Sequence, residues 1–270
     1  MHRSLTFALL GLLSALAVPA RAGGPDHANL DYLQEVARET VAISTSPLSW
    51  ERADWYKAGA VAATAGAIYA GGDVWAQHAA LRNQSRVADR FADVGRGFGN
   101  GLYIAPAVAV VYLSGEAAGD KRLRRASLDA LESLAISGLF VTATKVVAGR
   151  NRPYVGAGRG DWDGLSSSNA QYSFPSGHSA AAFSVATTFA TAYGEVPGVE
   201  PGAYALAALT GLSRIYNNQH WFSDVFVGAA LGYFTAKSVA RAHSGKDKRL
   251  TFSAFPLERG AGAAVVWRFD

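Results

Sequence analysis

Residues 174–193 read FPSGHSAAAFSVATTFATAY, and the interpretation of the whole sequence starts from this stretch. A proline, a serine and a glycine precede His178, and the run of Ala, Phe, Val and Thr that follows indicates a helix. Backbone N–H groups at the start of a helix have no partner within it and can bind an anion. The stretch therefore predicts a titratable imidazole at an anion-binding helix start.

Apolar, Ala-rich segments lie on both sides of this stretch. Each is predicted to be helical, at roughly 57–77, 101–117, 126–149, 176–194, 202–217 and 221–241, and a shorter helix is expected at 32–43. Breakers separate them, and GRGFGNG at 95–101 indicates tight turning or close helix packing, because no strand precedes it as a nucleotide-binding loop requires. We predict an all-α protein, a six-helix bundle with a short C-terminal β-hairpin around residues 258–262.

The N-terminus has the layout of a secretory signal peptide. It combines a basic start, an apolar stretch from Leu5 to Val18 and the triplet Ala20-Arg21-Ala22. A first membrane anchor is the alternative. Cleavage after Ala22 removes two arginines and lowers the formal net charge from +4 to about +2. The predicted organisation is a signal peptide at 1–22, an N-terminal segment at 23–56, a helical domain at 57–243 and a tail at 244–270.

The composition limits the protein's partners and its location. The small net charge is spread along the chain, which disfavours nucleic-acid binding, and the absence of cysteine excludes disulfides. A membrane span needs about 20 nearly uninterrupted apolar residues, whereas charges interrupt the segments that contain Asp129, Lys145 and Asp224. We expect a bundle exported to the periplasm and associated with a membrane. An integral membrane protein with short spans is the alternative.

Three stretches together predict a phosphoryl site: KVVAGRNRP at 145–153, PSGH at 175–178 and SRIYNNQHWFSD at 213–224. A phosphoryl group carries negative charge on its oxygens, and its transfer depends mostly on positioning and on charge stabilisation. Lys145, Arg152 and Arg214 offer cationic donors, and the arginines can bind two oxygens at once. Ser176 and Gly177 offer the backbone N–H groups of the helix start.

The two histidines can divide the remaining roles. His220 has Asp224 four residues on, so the carboxylate can hold one ring nitrogen while the other attacks phosphorus. His178 has no such partner in sequence, which suits it to protonating the leaving alcohol. A metal site at His220 and Asp224 is disfavoured because no third ligand stands nearby and the neighbouring cations oppose a divalent ion.

The pattern K-x6-RP, PSGH and SR-x5-H-x3-D resembles the type 2 phosphatidic acid phosphatase (PAP2) superfamily over residues 145–224. The resemblance implies an all-helical, metal-independent phosphatase that needs no cofactor and works through a phosphohistidine. It implies His220 as nucleophile, Asp224 as its orienting partner and His178 as general acid. The implied phosphate ligands are Lys145, Arg152, Ser176, Gly177 and Arg214. Arg150 lies outside the motif, and we expect it to be a supporting charge.

The resemblance leaves the substrate open. Phosphate monoesters are expected, and lipid phosphates, lipid diphosphates and soluble phosphates all fit the motifs. Membrane-bound lipid phosphatases of the family usually have stronger spans and no cleaved signal, whereas its secreted acid phosphatases have the signal and weaker helices. Two other functions remain. One is a vanadium-dependent haloperoxidase, because vanadate mimics phosphate. The other is a non-catalytic envelope protein that binds phosphate or lipid, although pure binding needs only the cations.

Overall fold

The structure is a computed structural model that describes residues 26–244, 250–257 and 260–267. The predicted signal peptide lies outside the described residues. The helices are α1 (Leu30–Thr45), α2 (Arg52–Ala67), α3 (Asp73–Arg82), α4 (Arg86–Gly99), α5 (Gly101–Ala118), α6 (Lys121–Ala148), α7 (Gly177–Ala192), α8 (Val199–Tyr216) and α9 (Phe222–His243). Strands β1 (Leu250–Leu257) and β2 (Gly260–Trp267) pair antiparallel. Within the described residues 26–244 the structure is 79% helical, which confirms the all-α class.

Local sequence signals set the ends of the helices that matter for the site. Asp120 caps the start of α6, where its carboxylate accepts from the Leu123 N–H at 3.0 Å. The same helix ends at Gly149, whose φ of 56° is left-handed and favours glycine. Lys145 is thereby held in the last turn of α6, and the chain leaves the helix directly before Arg150.

The helices differ from the six that the sequence predicts. A π-helical turn, Ile68–Gly72, joins α2 to α3, and α4 continues through most of the stretch predicted as a breaker. Gly95 and Gly99 explain this difference, since both allow close packing on α8. A Cβ atom on Gly95 would lie 2.6 Å from the Leu209 carbonyl oxygen, and one on Gly99 would lie 2.3 Å from Cγ2 of Thr210.

Two clusters of small and aliphatic side chains form the core of the larger unit, residues 48–237. Ile104, Val108 and Ala130 pack together with Val185 and Phe189, joining α5, α6 and α7. Ala182, Ala186 and Ala207 pack with Phe183 and Tyr204, joining α7 and α8. Helix α7 contributes to both clusters, so the histidine near its start sits on a helix that is packed into the core of the unit.

The smaller unit contains residues 1–47 and 238–270. Its described part comprises α1, the last turn of α9 and the two strands. Within it, the Nε2 atom of His243 lies 3.0 Å from Oε1 of Glu39 and 3.8 Å from Oε1 of Glu35. This contact ties the last turn of α9 to α1.

Two helices of the described chain, α5 and α6, are long and apolar enough to cross a membrane by length and composition. The sequence prediction, which found no convincing span, did not single them out. Helix α5 carries large exposed apolar side chains, among them Leu102 at 81% exposure and Leu113 at 61%. Two such helices are weak support for a membrane-spanning protein, because core helices pass the same test.

Candidate active site

The anion-binding helix start lies against α9. Ser176 caps α7, and its hydroxyl accepts from the Ser179 N–H at 3.4 Å and from the Ser179 hydroxyl at 3.0 Å. The Ser176 N–H donates to the Asp224 carbonyl oxygen at 3.0 Å. A Cβ atom on Gly228 would lie 2.3 Å from the Ser176 carbonyl oxygen, so only a glycine there lets the two segments meet. This packing fixes where Gly177 and His178 stand.

Three cations from separate elements converge on this helix start. Lys145 comes from the end of α6, Arg152 from the loop after it and Arg214 from α8. Lys145 Nζ donates to the Tyr172 carbonyl oxygen, and its Cε atom would lie 3.9 Å from a Cβ placed on Gly177. Arg152 donates to the Gln219 side-chain oxygen at 2.8 Å and to the Asn169 carbonyl oxygen at 3.0 Å.

None of these three cations forms an ion pair with a carboxylate in the part of the chain that the structure describes. The Nε atom of Arg214 is buried without any hydrogen-bond partner there. Burial, together with Arg152 and Arg214, lowers the pKa of Lys145 to about 7. Burial, Arg152 and Arg96 lower the pKa of Arg214 to about 10. The site is thus a concentration of positive charge in which none of these three cations is ion-paired within the described residues, and it favours a bound anion.

The His220 ring is buried and held by a backbone group. Its Nδ1 atom lies 2.7 Å from the Ser173 carbonyl oxygen. Because a carbonyl oxygen only accepts, this contact requires the proton on Nδ1 and leaves the lone pair of Nε2 free. Burial and the nearby Lys145 lower the pKa of His220 to about 3 despite the neighbouring carboxylate, so the ring is neutral at pH 7.

Asp224 does not hold His220 directly, contrary to the simplest interpretation of the i, i+4 spacing. Its Oδ2 atom lies 3.8 Å from Nδ1 of His220. That oxygen instead accepts from the Ser173 hydroxyl at 2.5 Å and from the Trp221 N–H at 2.9 Å. Asp224 therefore orients His220 through Ser173. Although burial raises the pKa of the Asp224 carboxyl, the His220 ring, Arg150 and the Ser173 hydroxyl together hold it below its usual value.

His178 lies in the first turn of α7 and is partly exposed. Burial, together with the positive charges of Arg214, Arg152, Lys145 and Arg96, lowers its pKa to about 4. The imidazole is therefore neutral at pH 7. A bound phosphate would offset the surrounding positive charge and raise the pKa of His178 towards the range of an acid catalyst.

The structure thus brings together all the residues that the sequence singles out: Lys145, Arg152, Ser176, Gly177, His178, Arg214, His220 and Asp224. Sequence reasoning missed the Ser173 carbonyl, which leaves no signature in the sequence. It also missed Asp73, which is fully buried and reaches Arg150. The only signal was its position as the one charged residue of 58–81.

An apolar groove of about 460 Å³ opens beside His178 and Gly177. It runs between α5, α6 and α7, and its walls include Ala105, Leu131, Leu134 and Val141. Gly138 and Ala135 line it as well, and such small side chains leave room for a guest. The groove can therefore accept an apolar group joined to whatever the histidines act on.

Comparison with known proteins agrees with this geometry. The model of the PAP2 superfamily matches residues 126–248. Lipid A 1-phosphatase from Porphyromonas gingivalis is 40% identical over 131 residues, which is 46% of this chain. The match spans only 26% of that relative's length.

Comparison with solved structures indicates a similar fold for LpxE, by a TM-score above 0.5. LpxE from Aquifex aeolicus aligns with a TM-score of 0.51 at 22% identity, covering 63% of this chain and 94% of that one. A transmembrane PAP2-type phosphatidylglycerolphosphate phosphatase from Bacillus subtilis aligns more loosely, with a TM-score of 0.49 at 17% identity, covering 70% of this chain and 94% of that one. The segment of this chain that matches the PAP2 superfamily model, residues 126–248, holds every motif residue of the site.

Proposed function

We propose that this protein is a phosphatase that hydrolyses the phosphate monoesters of lipids at the cell envelope, without a metal ion. The observation that carries the proposal is a set of three cations, the partly buried Lys145 and Arg152 and the buried Arg214, which form no ion pair with a carboxylate within the described residues. A phosphate dianion supplies the missing negative charge. Bidentate contacts from the two guanidinium groups then fix its orientation.

His220 is the proposed nucleophile. Its free Nε2 lone pair attacks phosphorus, the bond from phosphorus to the ester oxygen breaks, and a phosphohistidine forms. The hydrogen bond from Nδ1 to the Ser173 carbonyl fixes the tautomer that this step requires. Asp224 lies close enough, at 3.8 Å, to stabilise the positive charge that develops on the ring.

His178 is the proposed acid and base. In the first step it gives its proton to the departing alcohol oxygen, and in the second it takes a proton from the water that attacks the phosphohistidine. That second step releases inorganic phosphate and restores neutral His220. A bound phosphate offsets the positive charges that lower the pKa of His178 and thereby favours its protonated, acid form.

The groove beside His178 supports a lipid as the leaving alcohol, because its walls are apolar where the departing group would lie. The similarity to a lipid A 1-phosphatase points in the same direction. The exposed apolar face of α5 suits contact with a membrane, and the signal-like residues 1–22 suit export. We therefore propose a periplasm-facing, membrane-associated location.

The test is release of inorganic phosphate by the purified full chain, from p-nitrophenyl phosphate and from long-chain phosphatidic acid dispersed in detergent, with EDTA present. We expect turnover of both, with a higher kcat/KM for the lipid. His220→Ala should lower kcat by at least about 1,000-fold, because the nucleophile is lost. His78→Ala removes an exposed imidazole on α3 and serves as the control.

Loss of activity in EDTA would contradict metal-independent chemistry. Equal kcat/KM for long-chain phosphatidic acid and for glycerol 3-phosphate would argue against use of the groove. Full activity of the His220 variant would exclude the nucleophile assignment. Detergent-free fractionation of expressing cells, with both fractions assayed, tests the location, and activity confined to the soluble cytosolic fraction would contradict it.

A further inference from the structure

We propose that Asp73 is a positioning residue for the reaction, acting on His220 through Arg150 and Asp224. The proposal rests on the phosphatase function described above. It assigns a role to a residue that lies outside the segment matching the family, at the first position of α3.

Asp73 is fully buried, and its carboxylate has specific donors on both oxygens. Oδ1 accepts from the Ser223 N–H at 2.7 Å. Oδ2 accepts from Arg150 Nη2 at 2.7 Å and from the Ser223 hydroxyl at 2.8 Å. Because a buried carboxylate is stable only when it is paired and hydrogen-bonded, this arrangement holds the start of α3 against both Arg150 and the start of α9.

Arg150 joins Asp73 to the site. Its Nη1 atom donates to Asp224 Oδ1 at 2.5 Å and to the Ser223 hydroxyl at 2.8 Å. Its Nε and Nη2 atoms donate to the Arg159 carbonyl oxygen at 3.2 and 3.0 Å. The guanidinium is fully buried, so none of its donors is left for a phosphate. Arg150 thus differs in role from Arg152, two residues further on.

Three aromatic rings pack around the Arg150 guanidinium and restrict its position. Its central carbon lies 4.8 Å from the ring centroid of Trp162, 5.2 Å from that of Tyr69 and 5.5 Å from that of Trp221. These cation–π contacts add to the hydrogen bonds. Because these contacts hold the Arg150 guanidinium, the position of the Asp73 carboxylate helps to set the position of the Asp224 carboxylate.

The charges explain why a second carboxylate is needed. Arg150 pairs with Asp224, and that pair alone would be neutral. With Asp73 included, the buried group of Asp73, Arg150 and Asp224 carries a net negative charge beside the cations of the site. The charged groups that face His220 are Lys145 from α6, Arg152 from the loop and Asp224 from its own helix. Since Asp224 is the only anion among them, its full charge is available to a phosphorylated, cationic His220 ring only while Asp73 offsets Arg150.

The test is Asp73→Asn in the full chain, assayed on p-nitrophenyl phosphate. We expect kcat to fall roughly 10- to 100-fold, the size of effect seen when groups that orient a reactive ligand are removed. KM and the inhibition constant of inorganic phosphate should stay within about threefold, because Lys145, Arg152 and Arg214 are untouched. The acid limb of the kcat profile should move to lower pH, because the loss of a nearby negative charge lowers the pKa of His220.

Asp129→Asn is the matched control, since it removes a partly buried carboxylate that pairs with Arg125 at 3.0 Å within α6. It should leave kcat unchanged. A second variant, Arg150→Lys, keeps the positive charge but loses the planar guanidinium that donates to Asp73 and Asp224 at the same time. We therefore expect kcat to fall while the acid limb of the kcat profile stays at the same pH. Arg150→Lys also tests the proposed role of Asp73 if the Asp73→Asn variant does not fold.

An Asn variant with unchanged kcat would overturn the proposal. So would a loss that appears in KM and phosphate inhibition with the acid limb unmoved, because that pattern describes a distorted pocket. If Asp73→Asn does not fold, full activity of Arg150→Lys overturns it instead. A wild-type chain with no phosphatase activity would contradict both the proposed function and this role of Asp73. An active wild type whose kcat is unchanged by Asp73→Asn would contradict the role of Asp73 alone.

Discussion

At the scale of single residues, Lys145 determines how phosphate binding responds to pH. Its pKa of about 7 means that its charge is lost as pH rises through neutrality, and affinity for a phosphate dianion should fall with it. In Lys145→Arg the alkaline limb of kcat/KM should move up by at least about one pH unit, because guanidinium keeps its proton. The profile from pH 5 to 10 measures this shift.

Lys57→Arg, on the exposed surface of α2, is the control for the Lys145 variant and should leave the profile unchanged. An alkaline limb that stays near pH 7 in Lys145→Arg would show that another group titrates there.

Some residues of the candidate site can be predicted from the sequence, and others cannot. Lys145, Arg152, His178 and Arg214 are recognisable because their side chains and spacing carry the chemistry. The partner of His220 is not, because it is the carbonyl of Ser173, and a backbone carbonyl belongs to every residue type. The i, i+4 spacing placed a carboxylate near the ring but could not reveal that a serine lies between them.

At the scale of elements, the contact between α7 and α9 depends on Gly228. A Cβ there would lie 2.3 Å from the Ser176 carbonyl oxygen, so Gly228→Ala must push α9 away from the helix start. We expect kcat/KM to fall at least about tenfold, because small displacements of positioned groups slow the reaction strongly. The free energy of unfolding should fall by about 1–3 kcal/mol. Phosphatase assays and urea denaturation measure both.

Gly202→Ala is the matched control for Gly228→Ala. Position 202 is a helical glycine of α8 with open space around its Cβ direction, so alanine should raise the free energy of unfolding by about 0.5–1 kcal/mol and leave activity unchanged. An active, stable Gly228→Ala variant would mean that α9 has room to shift without disturbing Ser176.

Glycine also explains the largest difference between the predicted and the observed helices. The stretch 95–101 reads as a breaker because glycine weakens isolated helices, yet α4 continues to Gly99. Gly95 and Gly99 are four residues apart, on one face of α4, and that face packs on α8. Local propensity could not predict this, because the compensation comes from a helix more than 100 residues further along the chain.

For the molecule as a whole, the two imidazoles of the site, one buried and one partly exposed, link stability to pH. His178 and His220 have pKa values of about 4 and about 3, both below the ordinary value of 6.5. Between about pH 6.5 and 4 the unfolded chain therefore binds more protons, and the free energy of unfolding should fall as pH falls. The loss is up to about 1.4 kcal/mol per pH unit for each ring. Urea denaturation at pH 7 and pH 5 measures it.

His178→Gln should remove one ring's share of this slope, whereas His78→Ala should leave the slope unchanged. Saturating inorganic phosphate should stabilise the wild type, because it binds only the folded site. Midpoints that do not change between pH 7 and pH 5 would contradict the low pKa values of the two rings.

The burial of Asp73 has a practical consequence for work with fragments of this protein. A fragment trimmed to residues 126–248 would keep every motif residue and would look complete by sequence. It would nevertheless expose to water the part of Arg150 that Tyr69 now covers, and leave that arginine with one acidic neighbour in place of two. Chimaeras between relatives should therefore exchange α2 and α3 together with the motif-bearing half.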